Sequence, residues 1–285
     1  MLRIVGLGAG ALTAAAAATA AAGAMLWSRA TSRAHTRLGP PAVRGPETFS
    51  EGQLVELPSP VARYFRFALA PGQPIVRRAT IRTAGDFLAR PGGRWSPFTA
   101  VQHFAADPPG FVWDARIRMA PLVAIHVRDG YVRGEGSMLG RIWGVWPVVD
   151  QRGTPELAAG ALLRYLAECV WLPTALLPRE GLSWAGIDDA TARATLTDGA
   201  TTVALDVHFA PGGEITRVSA MRHRDVSGVG VLTPWTGRFS DYTRVKGMMV
   251  PMSGEVEWLL PDGPTPYWRG RIVRTAYEPA RTRDR

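Results

Sequence analysis

Trp113-Asp114-Ala115-Arg116-Ile117-Arg118-Met119 is the stretch on which the fold turns. Apolar and charged side chains alternate through it without a break, the period of two that a strand with one buried face requires. Working outward, the alternation returns on both sides. Phe98, Ala100, Gln102 and Phe104 share one face, and Ala79, Ile81, Thr83, Gly85 and Phe87 oppose Arg78, Thr80, Arg82 and Asp86. Val203, Leu205, Val207 and Phe209 oppose Thr202, Ala204, Asp206 and His208, while Val256 and Trp258 oppose Glu255 and Glu257. Turn signals punctuate these runs: Pro91-Gly92-Gly93, Pro108-Pro109-Gly110, Asp129-Gly130, Asp198-Gly199, Pro211-Gly212-Gly213 and Pro261-Asp262-Gly263. Strands joined so closely pair with their sequence neighbours, which predicts a mostly β chain built on an up-and-down antiparallel sheet.

Two segments depart from that period. Val61, Tyr64, Phe65 and Ala68 recur at helical spacing after Pro58 and Pro60, and Pro71-Gly72 ends the run, so a short helix precedes the strands. Thr154-Pro155-Glu156 reads as a helix start, with Thr as N-cap, Pro where a missing N–H costs nothing, and an acid at the positive end. The helix from Pro155 to about Val170 carries an apolar stripe of Leu162, Leu163, Leu166, Val170 and Trp171, with Arg164 and Glu168 four residues apart. Pro173 and Pro178 then force a bend. An apolar helix-bend-helix inserted into a curved sheet covers its mouth or concave face. The expected fold is therefore a half-barrel or open barrel with a helical plug.

The leader carries no charge from Ile4 to Trp27, longer than the roughly 20 residues that cross a bilayer as a helix. Its apolar content is mostly Ala, which is weakly lipophilic, so an uncleaved anchor, a cleaved secretory signal ending near Ala22-Gly23-Ala24, and an Ala-rich soluble helix all stay open. The order of Arg3, apolar run and small residues favours an extracytoplasmic domain anchored at the cell envelope; Arg29, Arg33 and Arg37 after the run argue the other way. Residues 1–28 are accordingly assigned to the leader, 29–56 to a linker without periodicity, 57–279 to the β domain and 280–285 to a tail.

Net charge is +9, carried by Arg with one Lys, Lys246. Such a surface attracts anionic partners, of which lipid head groups are expected here. Nucleic acid is not expected, because zinc spacing, a basic helix and the aromatic-basic pattern of an RNA-binding sheet are all missing. The lone Cys169 excludes an intramolecular disulfide and a multi-cysteine metal site, and reads as a buried thiol within an apolar helix. His35, His103, His126, His208 and His223 show no ligand spacing, so neither a metal nor a cofactor is expected.

Six blocks resemble a family of uncharacterised bacterial proteins: LPSPVARYFR (57–66), PPGFVWDARIRM (108–119), GTPELAAG (153–160), LRYLAE (163–168), TPWTGRF (233–239) and PYWRGR (266–271). The resemblance runs from about Leu57 to about Glu278 and implies no activity. It implies a fold similar to the lipoprotein-carrier half-barrels of the bacterial envelope, an open antiparallel sheet around a helical lid with an apolar cavity.

Candidate chemistry divides by face. Ten tryptophans are many for this length. Trp113, Ile117, Met119, Trp143, Leu163, Leu166, Val170, Trp171, Trp235 and Trp258 are the candidate lining of an apolar ligand site, set against a plainly packed core. Asp114, Arg116, Arg118 and Arg238 are candidate polar rim residues, where two guanidinium groups suit a phosphate or carboxylate; a solvated ion-pair ladder is the simpler explanation of them. Glu255 and Glu257 share a face about 6.5–7 Å apart, near the spacing of glycosidase carboxylates. The expectation is a membrane-tethered, non-catalytic module for lipid or another apolar small molecule. The alternatives are a hydrolase using an Asp/Arg or paired-Glu cluster, and a structural partner of an envelope protein.

Overall fold

The computed structural model describes residues 2–40 and 45–279, with side chains from residue 17 onward. Among the described residues, thirteen strands form one sheet, every neighbouring pair antiparallel. From its centre β1 (Val76–Leu88), β2 (Trp95–Ala105), β3 (Gly110–Ala120), β4 (Val123–Val132), β5 (Glu135–Ile142) and β6 (Trp146–Arg152) run in order to one edge. To the other edge run β13 (Gly263–Pro279), β12 (Met248–Leu260), β11 (Val229–Val245), β10 (Ile215–Val226), β9 (Thr201–Phe209), β8 (Thr191–Asp198) and β7 (Leu182–Asp188). Only the pair β1–β13 joins strands that are not sequence neighbours. The up-and-down topology expected from the short turns is what the chain adopts.

Strands β6 and β7 are consecutive in the chain yet lie at opposite edges, so the segment between them must cross the sheet. It crosses as α3 (Pro155–Glu168), followed by 3-10 turns at Cys169–Trp171 and Pro173–Leu176, the expected helix and bend. Thr154 caps α3 as predicted, its hydroxyl accepting the Leu157 N–H at 3.2 Å. The helix touches β3, β4 and β5 in one half of the sheet and β9 and β10 in the other. A single helix reaches both halves only if the sheet curls round it. The sheet stays open, because β6 and β7 do not pair. Gly136 of β5 lets the helix lie this close: a Cβ there would stand 2.5 Å from the Leu157 carbonyl oxygen.

The face toward α3 is the one the alternation assigned to the core. Phe111, Trp113, Ala115 and Ile117 of β3, Phe98, Ala100 and Phe104 of β2, and Val203, Leu205, Val207 and Phe209 of β9 are all buried. Beside them sit Tyr64 and Phe65 of α2 (Ser59–Ala68), Tyr64 in ring contact with Phe209 at 6.1 Å. Cys169 is buried here as expected, and burial pushes its thiol up to about 12, so it stays protonated.

Two readings need correction. Asp129-Gly130 is not a turn but lies inside β4; the reversal falls at Arg133-Gly134, where Gly134 takes φ +81. Gly130 is there because a Cβ would meet the Phe111 carbonyl oxygen at 2.9 Å, a close approach that mimics a turn signal in sequence. The stretch after Ser28 does not begin as irregular chain: α1 (Leu2–Arg37) continues through it as one helix. Its second half lies on the outer face of the sheet against β3 and β4, burying Trp27 and Leu38. Among the described residues no helix is long and apolar enough to cross a membrane, consistent with the weak lipophilicity of an Ala-rich run.

Candidate functional site

The plug does not fill the whole inner face. A pocket of about 190 Å³ remains between the end of α3 and the strands. Ala167 and Trp171 form its roof, Trp113, Ile117 and Val127 one wall, Trp235, Phe239 and Val256 the other, and Phe87, Tyr267 and Trp268 the floor near the sheet centre. The rings interlock: Trp171 meets Phe239 edge-on at 6.2 Å and Trp268 at 6.4 Å, and Phe98 bridges Trp113 and Trp268 at 5.9 and 5.7 Å. Glycines make room for them. A Cβ on Gly270 would lie 2.6 Å from the Trp268 ring, so the indole rests across a position with no side chain. Among the described residues the indole N–H groups of Trp171 and Trp268 find no acceptor.

One end of this apolar chamber is ionic. Arg164 projects from α3 and pairs with Asp129 of β4 and with Glu168 at 2.9 Å, one turn along the same helix. Gln102 of β2 donates to the second Glu168 oxygen at 2.6 Å. The guanidinium also lies over Phe111 and Trp113, at 5.1 and 4.9 Å from their centroids. Burial works against the charge on Arg164, but Glu168 and Asp129 more than offset it and hold the group protonated above its ordinary range. Across the pocket Arg222 of β10 sits over Trp235 and Trp258, at 5.0 and 5.9 Å, and donates to the Gly160 carbonyl oxygen at 3.1 Å. Both arginines are thus engaged by aromatic faces and protein acceptors, which leaves hydrocarbon-like surface as the main free lining.

Of the predicted lining, Trp113, Ile117, Trp171 and Trp235 border the pocket. Leu163, Leu166 and Val170 are buried in the packed core between helix and sheet instead. Trp258 stacks on Tyr267 at 5.8 Å, beside the pocket. Met119 and Trp143 lie away from it at the far ends of their strands, Met119 exposed and Trp143 donating to the Leu122 carbonyl oxygen at 2.8 Å. The predicted polar rim is on the other side of the sheet. Asp114, Arg116 and Arg118 alternate outward from the buried face of β3; Asp114 accepts the Trp27 indole N–H at 2.7 Å, and burial raises its pKa. Arg238 pairs with Glu257 at 2.7 Å and stands 3.9 Å from Glu255, so the paired carboxylates share one arginine; Glu255 also borders the pocket. No group of three His, Cys, Asp or Glu among the described residues is placed to hold a metal.

Residues outside the predicted lining also border the pocket, among them Phe87, Val127, Asp129, Met138, Arg164, Arg222, Phe239, Val256 and Tyr267. For Arg164 and Glu168 the helical spacing was visible, but not the partner across the sheet. A larger cleft of about 700 Å³ lies elsewhere, among turn residues such as Pro108, Gly181 and Gly199 with Asp107, Arg179 and Asp198; it lacks an aromatic wall.

The model of a family of unknown function, DUF6544, matches residues 47–270. No curated protein matches the sequence. Among solved structures the chain is similar to a LolA superfamily protein from Nitrosomonas europaea (13% identity, 77% of this chain and 92% of that one, TM-score 0.36). It is also similar to a DUF1329 family protein from Desulfovibrio piger (11% identity, 73% and 88%, TM-score 0.40). A third is a beta-barrel-like DUF1849 protein from Brucella abortus (10% identity, 71% and 99%, TM-score 0.26). At these scores the likenesses bear on neither ligand nor activity.

Proposed function

The chain is a member of DUF6544, a family of unknown function, and we propose that it binds an apolar small molecule or the acyl portion of a lipid beneath α3, without transforming it. The observation that carries this reading is the aromatic-walled pocket, an unfilled volume in an otherwise packed inner face. Its size limits the guest. A cavity of roughly 150 Å³ lined by apolar groups admits benzene, so the 190 Å³ here suits one ring or about six to eight carbons of a chain. A longer acyl chain would extend past Arg222 or require the plug to move. A guest bearing one oxygen near Trp171 and Trp268 would also satisfy their unpaired N–H groups. The apolar leader and the excess of arginine support a domain held at the cell-envelope membrane, and the order of Arg3, apolar run and small residues supports its outer side.

The test is native mass spectrometry of the full chain isolated without exogenous lipid, followed by titration with a fluorescent fatty acid. Retained or titratable apolar ligand is expected. Ala167→Phe, which places a ring in the pocket from its roof, should abolish binding, at an overpacking cost of about 1–3 kcal/mol in stability. No binding by the native chain, or unchanged binding by a folded Ala167→Phe variant, would overturn the reading.

A further inference from the structure

One end of the sheet carries apolar side chains that no packing argument explains. The turn between β3 and β4 is tipped by Leu122, 93% exposed, and the turn between β5 and β6 carries Trp143, followed by Trp146, 49% exposed. Both Leu122 (φ 66) and Trp143 (φ 50) occupy the left-handed region, where a bulky side chain costs about 1–2 kcal/mol relative to Gly. The other described non-glycine residues with positive φ are Arg133, Ser227, Asp241 and Lys246, all polar. Two turns therefore spend backbone strain on presenting hydrophobic groups, and those two are neighbours. Trp143 donates to the Leu122 carbonyl oxygen and meets Trp146 at 5.6 Å.

Helix α1 passes the same point. Gly23 packs on the β5–β6 turn so closely that a Cβ would lie 2.3 Å from the Trp143 carbonyl oxygen. Just beyond, Met25 and Leu26 are 56% and 62% exposed. Toward Leu38 the helix lies along the sheet; its N-terminal half is the uncharged leader. Around these two turns the charge has one sign. Arg116, Arg118 and Arg141 stand on the outer face below the turns, while residues 115–128 and 139–149 contain no Asp or Glu, and none precedes Glu47.

We propose that this end of the sheet, with Leu122, Trp143 and Trp146 at its tip and Arg116, Arg118 and Arg141 behind them, is a docking surface for an anionic lipid bilayer. Exposed Leu and Trp enter the interfacial layer, where indole rings partition favourably, and the arginines meet lipid phosphates. Contact at the interface suffices and no spanning segment is required. The inference rests on the membrane location proposed above but not on the pocket. It adds an orientation: the strands stand end-on to the bilayer, with the β4–β5 turn distal.

The test labels the full chain with an environment-sensitive fluorophore at Leu122→Cys and, separately, at Glu135→Cys beside the distal turn; Cys169 is buried and remains unlabelled. Vesicles of phosphatidylcholine containing phosphatidylglycerol should raise and blue-shift emission severalfold at position 122 and leave 135 unchanged. Phosphatidylcholine alone should give a weaker response, as should the Arg116→Gln/Arg118→Gln/Arg141→Gln variant on anionic vesicles. Vesicle association with no response at 122 would overturn the docking surface while leaving the membrane location standing. Absence of association would overturn both. A concentration-dependent response at 122 without vesicles would assign the tip to a second copy of the chain and overturn the lipid assignment.

Discussion

Arg164 ties α3 to β3 and β4 through both charge and ring contacts. It stands between two carboxylates, over two aromatic rings, at the ionic end of the pocket. Removing one member of a buried ion cluster leaves the others desolvated and unpaired, whereas removing all of them leaves a neutral cavity. Arg164→Leu should therefore cost about 3–5 kcal/mol in urea unfolding, the penalty for stranding a buried charge. Adding Asp129→Asn and Glu168→Gln to it should recover a substantial part. If the triple variant is no more stable than the single one, the arginine acts through packing and not through charge. Half of this cluster was legible beforehand, since the Arg164/Glu168 spacing is helical. Asp129 was not, because followed by glycine it reads as a turn, and the reason for Gly130 is a carbonyl on the adjacent strand.

At the scale of an element, α1 behaves as part of the domain and not only as a leader. Besides Trp27 on Asp114, Arg128 donates to Thr31 at 3.0 Å and lies over the Trp27 ring at 4.7 Å. Nearer its end His35 stacks on His103 of β2, centroids 4.0 Å apart. Burial, with His35, Arg78 and Arg82 nearby, pushes His103 down from 6.5 to about 4. His35 is lowered too, by burial and Arg78, with Glu278 opposing. The folded protein thus holds His103 neutral where the unfolded chain takes up a proton. Its contribution to stability is complete above pH 6.5, declines as pH falls toward 4, and is constant below that. His103→Gln, which keeps a partner for the Thr80 hydroxyl, should flatten the dependence of the urea midpoint on pH across that window. An unchanged slope would show that another group controls the acid response. Sequence periodicity did not reveal this docking, because α1 is polar or small on most positions and the few residues that matter meet partners far along the chain.

At the scale of the whole molecule, the sheet's two edges are not equivalent. Edge strand β6 has no buried residue, and Pro147 removes one of its N–H groups; Gln151 reaches across to Asp225 on the β10–β11 hairpin at 2.9 Å. The opposite edge, β7, is backed by α2. Hydrogen exchange should run fastest in β6, slower in β7, and slowest in β1 and β13, which have partners on both sides at the centre. Equal protection of both edges would mean that the sheet closes in solution.

Much of this architecture follows from the chain read residue by residue. Alternation is a local property, so the period of two assigned the buried side of β2, β3 and β9, and Thr154-Pro155-Glu156 set the start of the plug. What alternation does not contain is which distant segment covers each face. That Trp113 and Trp235, from opposite halves of the sheet, line one pocket, while Asp114, one residue away, is covered by α1, depends on the curvature of thirteen strands around α3. Curvature sums small twists over the entire sheet, and only the assembled tertiary structure determines where that sum brings remote side chains together.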